Sequence, residues 1–362
     1  MISSILAPSF LPISAVLEMT YKCNHTCLFC SCPWEAPNSE YATNKEQTIE
    51  QWKQSLEKLV EMGVISFSFT GGEPFLKEGI FEIIEFASGL KARHIDKNLN
   101  ETLSPPNLFV ISNGQLIDKS TLEFIKKHNI QLSLSLPGLE TYKQHTGSGN
   151  PQKILDLFSM ANELGITTTA NISVTKINFF ELEETISYAL LAGASNILLN
   201  RFLPGGRGLK HVDELLLSSE QVENMLITAD SILRTANRNG SVGTELPLCL
   251  VLNKKFTNLR VGTRCSAAKD FFVLSPDGHI RTCNHSPVKL EHISEIEKLK
   301  HNPYWKHFVF REYHPQMCES CTLISNCDGG CREAAHVYRG KLTSNDPLFD
   351  GNRKVAIDIE KR

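Results

Sequence analysis

Over its first two thirds the chain alternates short β-type runs with longer runs whose apolar residues recur at helical spacing. The short runs predict strands over residues 13–20, 65–70, 108–112, 131–136, 167–175 and 196–203. Between them, residues 48–62, 80–90, 118–128, 153–164 and 181–191 predict helices. Six strands with helices between them favour parallel pairing through right-handed crossovers. Six units are fewer than the eight of a closed barrel, so the expected fold is α/β, an open partial (β/α)6 barrel. In such sheets the chemistry collects at the C-terminal strand ends. Those ends carry a cysteine loop, then Gly71-Gly72-Glu73-Pro74, Ser112-Asn113-Gly114, Ser135-Leu136-Pro137-Gly138 and Pro204-Gly205-Gly206.

Residues 92–106 are polar, include Pro105-Pro106, and read as a surface insertion. Residues 215–239 read as a helical bridge. From about Val261 the periodicity fades while cysteines accumulate, which points to a small region stapled by metal. No internal repeat or low-complexity tract is visible. The expected division is a tail (1–13), the partial barrel (14–208), the bridge (209–260) and a cysteine-rich region (261–362).

The 362 residues, 41% of them hydrophobic, can bury a sizeable core, and 37 basic against 40 acidic residues leave a net charge of −3. That balance provides no basic stripe, so nucleic acid is not an expected partner. Residues 1–12 have no Lys or Arg before their apolar run and do not read as a signal peptide. No apolar stretch reaches the ~18 residues of a membrane span. A cytoplasmic enzyme without membrane contact is the expectation. The eleven cysteines change the picture. In a reducing compartment they point to metal rather than to structural disulfides. Cys23, Cys27, Cys30 and Cys32 open the chain, and Cys249, Cys265, Cys283, Cys318, Cys321, Cys327 and Cys331 crowd its last third.

In Thr20-Tyr-Lys-Cys23-Asn-His-Thr-Cys27-Leu-Phe29-Cys30, three thiolates on one loop can face a common centre. Three ligands leave one iron of a four-iron cube without a protein ligand, and an open metal position marks a catalytic site. A closed zinc site, with His25 or Cys32 as the fourth ligand, is the other reading of the loop alone.

With the strand-end motifs added, this portion resembles the radical S-adenosylmethionine superfamily. The family signature is three cysteines spaced three and two apart, with an aromatic residue, here Phe29, before the last. The resemblance implies a [4Fe-4S] cluster on Cys23, Cys27 and Cys30 whose open iron binds S-adenosylmethionine. One-electron reduction then breaks the sulfur–carbon bond, and the 5′-deoxyadenosyl radical abstracts a hydrogen atom from the substrate. By the same resemblance Gly71, Gly72 and Glu73 serve the methionyl end of the cofactor. Ser112, Asn113 and Ser133 or Ser135 stand where the family places contacts to ribose and carboxylate. Glycines permit a close backbone approach, and plain turn chemistry is the alternative for these strand ends. Many peptide-modifying relatives have Asp where this chain has Pro137, which removes a carboxylate and a backbone donor. Arg201 and Arg207 read either as bidentate partners of a carboxylate or as surface residues.

C-x₂-C pairs alone commonly bind zinc. The ordered set Cys265, Gly278, Cys283, Cys318-x₂-Cys321-x₅-Cys327-x₃-Cys331 instead resembles the SPASM extension of peptide-modifying radical enzymes. That extension holds auxiliary iron–sulfur clusters. The resemblance assigns Cys265, Cys283 and Cys331 to a first cluster and Cys318, Cys321 and Cys327 to a second. Phe349 stands where the pattern has a seventh cysteine, so the second cluster takes another ligand, such as Asp346 or Asp350, or keeps an open iron. The first also lacks an assured fourth ligand. Cys249 is a candidate there, against a reading as a buried structural cysteine. One auxiliary site can also be empty, leaving one or two such clusters. Cys32 has no role in the pattern.

The resemblance runs from about residue 14 to about residue 350. It implies an oxidoreductase-type enzyme that matures a ribosomally made precursor peptide, with side-chain crosslinking suggested by Cys30-Ser-Cys32-Pro33-Trp34-Glu35. Its electron donor would be a flavodoxin or a ferredoxin-type protein. Too few residues precede the first strand for a winged-helix recognition domain. Leader binding then rests on the barrel, the C-terminal region or a separate leader-binding protein. Other readings are a sulfatase-type maturase forming formylglycine, a small-molecule radical dehydrogenase and a non-catalytic zinc-binding interaction protein. No Asp or Glu stands out as a general base.

Overall fold

The computed structural model describes residues 10–252 and 254–349. Strand β1 (Ser14–Glu18) and β2 (Ser66–Thr70) flank helix α1 (Ile49–Glu61). After α2 (Ile80–Gly89) comes an antiparallel hairpin, β3 (Ala92–Ile95) and β4 (Glu101–Ser104), and then β5 (Asn107–Ser112). The alternation continues through α3 (Lys119–Lys127), β6 (Gln131–Ser135), α4 (Tyr142–Thr146), α5 (Pro151–Glu163), β7 (Thr168–Val174), α6 (Leu182–Leu191) and β8 (Asn196–Arg201). Then follow α7 (Val212–Leu215), α8 (Ser219–Thr235), β9 (Gly240–Val242), β10 (Leu259–Arg260), β11 (Phe271–Leu274), β12 (Ile280–Arg281), α9 (Pro303–Val309) and α10 (Arg332–Arg339).

The helices start where the sequence supplies caps. Thr48 with Gln51, and Ser218 with Gln221, form reciprocal capping boxes at α1 and α8. Asp118 and Asn150 accept from the first-turn amides of α3 and α5.

The six expected strands are present and pair in parallel, in the order β8-β7-β6-β5-β2-β1. The sheet extends past both ends of that set. On one side β9 and β10 continue it in parallel. On the other, β11 pairs in parallel with β1, from Ser14 opposite Phe271 to Leu17 opposite Leu274, and β12 runs antiparallel to β11. The expected bridge therefore ends in sheet strands, and the cysteine-rich region joins the main sheet. Phe271-Phe-Val-Leu274 is a short continuous apolar run, which is the pattern of a doubly covered strand and shows no alternation to betray it. Residues 92–106, expected as a surface insertion, contain the hairpin, where Asp96 accepts from the amides of Asn98 and Asn100 and closes a turn between two short strands.

One face of the sheet is apolar and the other is not. Phe67, Phe69, Val110, Leu132, Leu134, Ile172 and Leu199 are buried beneath the helices, against residues such as Trp52, Leu56, Phe158 and Ile186. Each such side chain contributes about 1.5–3 kcal/mol by leaving water. The alternate positions carry Ser66, Ser68, Ser133, Ser135, Asn171, Ser173 and Asn200, which are only partly buried. Side chains alternate between faces with a period of two, so this polar set shares the face that the helices leave open. Two buried ion pairs tie the C-terminal region to it: Glu18 of β1 with Arg281 of β12, and Arg201 of β8 with Asp346 at 2.6 Å.

Candidate active site

A cavity of about 440 Å³ opens on the polar face at the C-terminal strand ends. Cys23, Cys27 and Cys30 border it, and so do Cys265, Cys283 and Cys331. Two cysteine sets that lie more than two hundred residues apart in sequence thus share one space.

The first set is held by its backbone. The amides of Thr26 and Leu28 donate to the carbonyls of Thr146 and His145, at 2.9 and 2.8 Å, which fastens the loop to α4. The Gly208 amide donates to the Cys30 carbonyl at 3.1 Å, and Arg207 Nη1 donates to that of Cys27 at 3.1 Å. Gly71 and Gly72 press the end of β2 onto the start of the loop. The Gly72 amide donates to Thr20 O at 2.8 Å, and a Cβ on Gly72 would lie 2.0 Å from Lys22 O. The close approach expected of these glycines is therefore made, and it is made to the cysteine loop's own backbone.

Glu73 is fully buried and accepts from Ser112 Oγ at 2.8 Å and from the Asn113 amide at 2.9 Å. It fastens β2 to β5. Burial pushes its carboxyl up to about 7, against the pull of those two hydrogen bonds. Of the residues expected around the cofactor, Phe29, Gly72, Ser112, Asn113 and Ser135 border the cavity. Gly71, Glu73 and Ser133 are not part of its wall, and Ser133 Oγ is buried without a partner among the described residues. The ring of Phe29 meets His145 edge-on at 5.5 Å. Beside Pro137, Glu181 holds the following loop, accepting from the amides of Leu139, Glu140 and Thr141.

Arg201 and Arg207 both reach the cavity. Arg207 pairs with Glu35, which lies in the segment after the cysteine loop. Arg201 is buried, and its Nη2 is used by Asp346 and the Glu245 carbonyl. Its Nε and Nη1 have no partner among the described residues. Unpaired buried guanidinium donors on a cavity wall suit an anionic group such as a carboxylate. Sequence reasoning missed Asn171, Ser173, Asn200, Glu245, His285 and Glu333, all of which border the cavity. The strand residues carried a signal: polar side chains at every second position of otherwise apolar strands.

The C-terminal cysteines are held differently. Asp328, fully buried, accepts from the Cys265 amide at 2.5 Å and from Arg311 Nε at 2.7 Å. Asp346, also fully buried, accepts from the Cys331 amide at 2.7 Å as well as from Arg201. Arg332 spans the carbonyls of Gly329, Gly330, Leu342 and Ser344. Asp346 is thus engaged by cations and amides at the Cys331 side, and it does not border the cavity of Cys318, Cys321 and Cys327. Asp350 lies outside the described residues. Cys249 does not border the large cavity, so it does not stand with Cys265, Cys283 and Cys331. It is only partly buried, which departs from its reading as a buried structural cysteine.

Burial pushes most of these thiols up: Cys23 to about 11, Cys331 to about 12, and Cys27, Cys265 and Cys283 in the same direction. Cys30 moves the other way, chiefly through the neighbouring Cys32 thiol, while Cys32 Sγ itself donates to the Gly71 carbonyl at 3.9 Å. Metal ligation requires thiolates, so metal uptake by such thiols would release protons.

Residues 17–189 match the family model of the Radical SAM superfamily. The PqqA peptide cyclase of Granulibacter bethesdensis is 24% identical over 347 residues, covering 93% of this chain and 86% of the relative. The crystal structure of Streptococcus suis SuiB bound to precursor peptide SuiA superposes with a TM-score of 0.68 at 16% identity, over 93% of this chain and 75% of that one. Native anSMEcpe with bound AdoMet gives 0.69 at 18% identity, over 93% and 94%. At these identities the two structures establish a shared α/β fold.

Proposed function

The chain carries a Radical SAM domain over residues 17–189, and from that premise we propose that it is a radical enzyme that modifies a ribosomally made precursor peptide by crosslinking side chains. The observation that carries the reading is the shared cavity, with Cys23, Cys27 and Cys30 on its wall together with Cys265, Cys283 and Cys331. The residues present fit an iron–sulfur cluster: three thiols stand at a cavity mouth, one of them exposed, and the loop between them is fixed by backbone bonds. Cys23, Cys27 and Cys30 would hold it, and when bound it supplies the electron that cleaves S-adenosylmethionine.

The chain's own residues then have distinct tasks. Phe29, Gly72, Ser112, Asn113 and Ser135 line the space for the nucleoside and methionyl groups. Glu73 and Gly71 set the positions of those strand ends. Arg201 offers two free donors to a carboxylate, either of the cofactor or of the peptide. Asn171, Ser173 and Asn200 give the floor hydrogen-bonding groups, and Asn200 Nδ2 already donates to Asn171 Oδ1 at 2.8 Å. Glu245 and Glu333 are the carboxylates on the wall beside the C-terminal cysteines, and they are the first groups to test as proton acceptors. Cys265, Cys283 and Cys331, and separately Cys318, Cys321 and Cys327, would hold auxiliary clusters that carry away the electron left after hydrogen abstraction. A flavodoxin or ferredoxin-type donor would supply the starting electron.

The peptide assignment draws on the relatives: one is named for cyclising the peptide PqqA, and SuiB is described with a bound precursor peptide. The test is anaerobic incubation of the reduced protein with S-adenosylmethionine and any short peptide encoded beside its gene, read by mass. A loss of about two daltons per event, with a new side-chain linkage in the fragment spectrum, supports crosslinking. No linkage, with formylglycine formed on a sulfatase peptide instead, would replace it with the sulfatase-type reading.

A further inference from the structure

A second, smaller cavity in the C-terminal region has four thiols on its wall: Cys249, Cys318, Cys321 and Cys327. Cys249 arrives from the segment between β9 and β10, far from the other three in sequence. The Cys249 side also helps build the site. The amide of Leu248 donates to Cys327 Sγ at 3.2 Å, and the Gly329 amide donates to the same sulfur at 3.2 Å.

Phe349 closes the same cavity, its carbonyl held by Arg339 at 2.8 Å. A phenyl ring has no lone pair for iron. Asp346 is committed to Arg201 and the Cys331 amide. Four thiols on one cavity wall suit a four-iron cluster, which takes four thiolates.

We propose that Cys249 is the fourth protein ligand of an iron–sulfur cluster on Cys318, Cys321 and Cys327, in place of the cysteine missing at Phe349. The proposal rests on the auxiliary-cluster reading above. It makes that cluster fully protein-ligated, and so a carrier of electrons rather than a site that binds substrate.

Alkylation of the iron-loaded protein under anaerobic conditions, mapped by mass, is the first test. Cys249 is only partly buried, so a free thiol there reacts. The expected result is that Cys249 is protected together with Cys318, Cys321 and Cys327, and that all four are labelled once iron is removed. Labelling of Cys249 alone in the loaded protein overturns the assignment. Labelling of all four in the loaded protein, or zinc found there in place of iron, overturns the auxiliary-cluster reading and the assignment with it. The second test is iron content. Cys249→Ser lowers it by one to four per chain, the range from loss of one iron to loss of a cube, and adding Phe349→Cys to that variant restores it. An unchanged iron content and Mössbauer spectrum in Cys249→Ser contradicts the proposal.

Discussion

The two cysteine regions are built by opposite means. The N-terminal loop hangs from regular structure. Gly72 at the end of β2 and Gly208 after β8 clamp its backbone, and the carbonyls of α4 accept its amides. The C-terminal region has little regular structure around its thiols, and buried charges hold it instead: Asp328, Asp346, Arg332 and Arg281 are each fully buried. Irregular buried backbone must still pair its amides and carbonyls, and these four side chains do so where no strand or helix can. A loop fixed by strand ends can leave one thiol exposed and one coordination position open. The region fixed from within buries Cys265, Cys327 and Cys331.

Removing ligands should separate the two regions most sharply. Cys27→Ala and Cys331→Ala should each lower the iron of anaerobically reconstituted protein, the first by about four per chain and the second by about two to four. The losses should add in the double variant. A single substitution that empties both regions would show that they load as one unit. Next in size, Arg281→Met leaves the Glu18 carboxylate unpaired in the interior and should cost about 3–5 kcal/mol. Adding Glu18→Gln should recover part of that in anaerobic denaturant unfolding.

Gly72→Ala should cost about 1–3 kcal/mol through overpacking, because its Cβ meets the Lys22 carbonyl. The damage should be local, with iron lost from the N-terminal site and retained at the C-terminal one. The smallest effect concerns pH. Glu73 has a folded value near 7 against an ordinary 4.5, so between these values the folded state binds more protons than the unfolded one. Stability from this group therefore falls as pH rises from about 4.5 to about 7. Glu73→Gln should flatten that slope when denaturant midpoints are compared at pH 5 and pH 7.5.

Much of this was legible in the residues. The six strands carried their period, and four of them, over 65–70, 108–112, 131–136 and 196–203, ended in a Gly, Pro or Asn signal that marks a strand end. The cysteine spacings announced the two cysteine regions that the fold gathers around cavities. Three things were hidden. Phe271–Leu274 shows no alternation because both of its faces are covered, so its place beside β1 could not be read. The part played by Asp328 and Asp346 depends on contacts with residues far away in the chain, such as Arg201 and Cys265. Cys249 lies outside any recognisable spacing, and only the folded chain brings it to Cys318, Cys321 and Cys327. The polar stripe Ser133, Ser135, Asn171, Ser173 and Asn200 was visible in principle, as the alternate face of strands whose other face is apolar.

The central claim is that Cys23, Cys27 and Cys30 support reductive cleavage of S-adenosylmethionine. The most direct measurement is 5′-deoxyadenosine formed by the anaerobically reconstituted, reduced protein, beside a Cys23→Ala/Cys27→Ala/Cys30→Ala variant that retains its C-terminal iron. The account predicts 5′-deoxyadenosine from the unaltered chain and only background from the variant. No 5′-deoxyadenosine from an iron-loaded, reduced protein, or equal amounts from both, would contradict it.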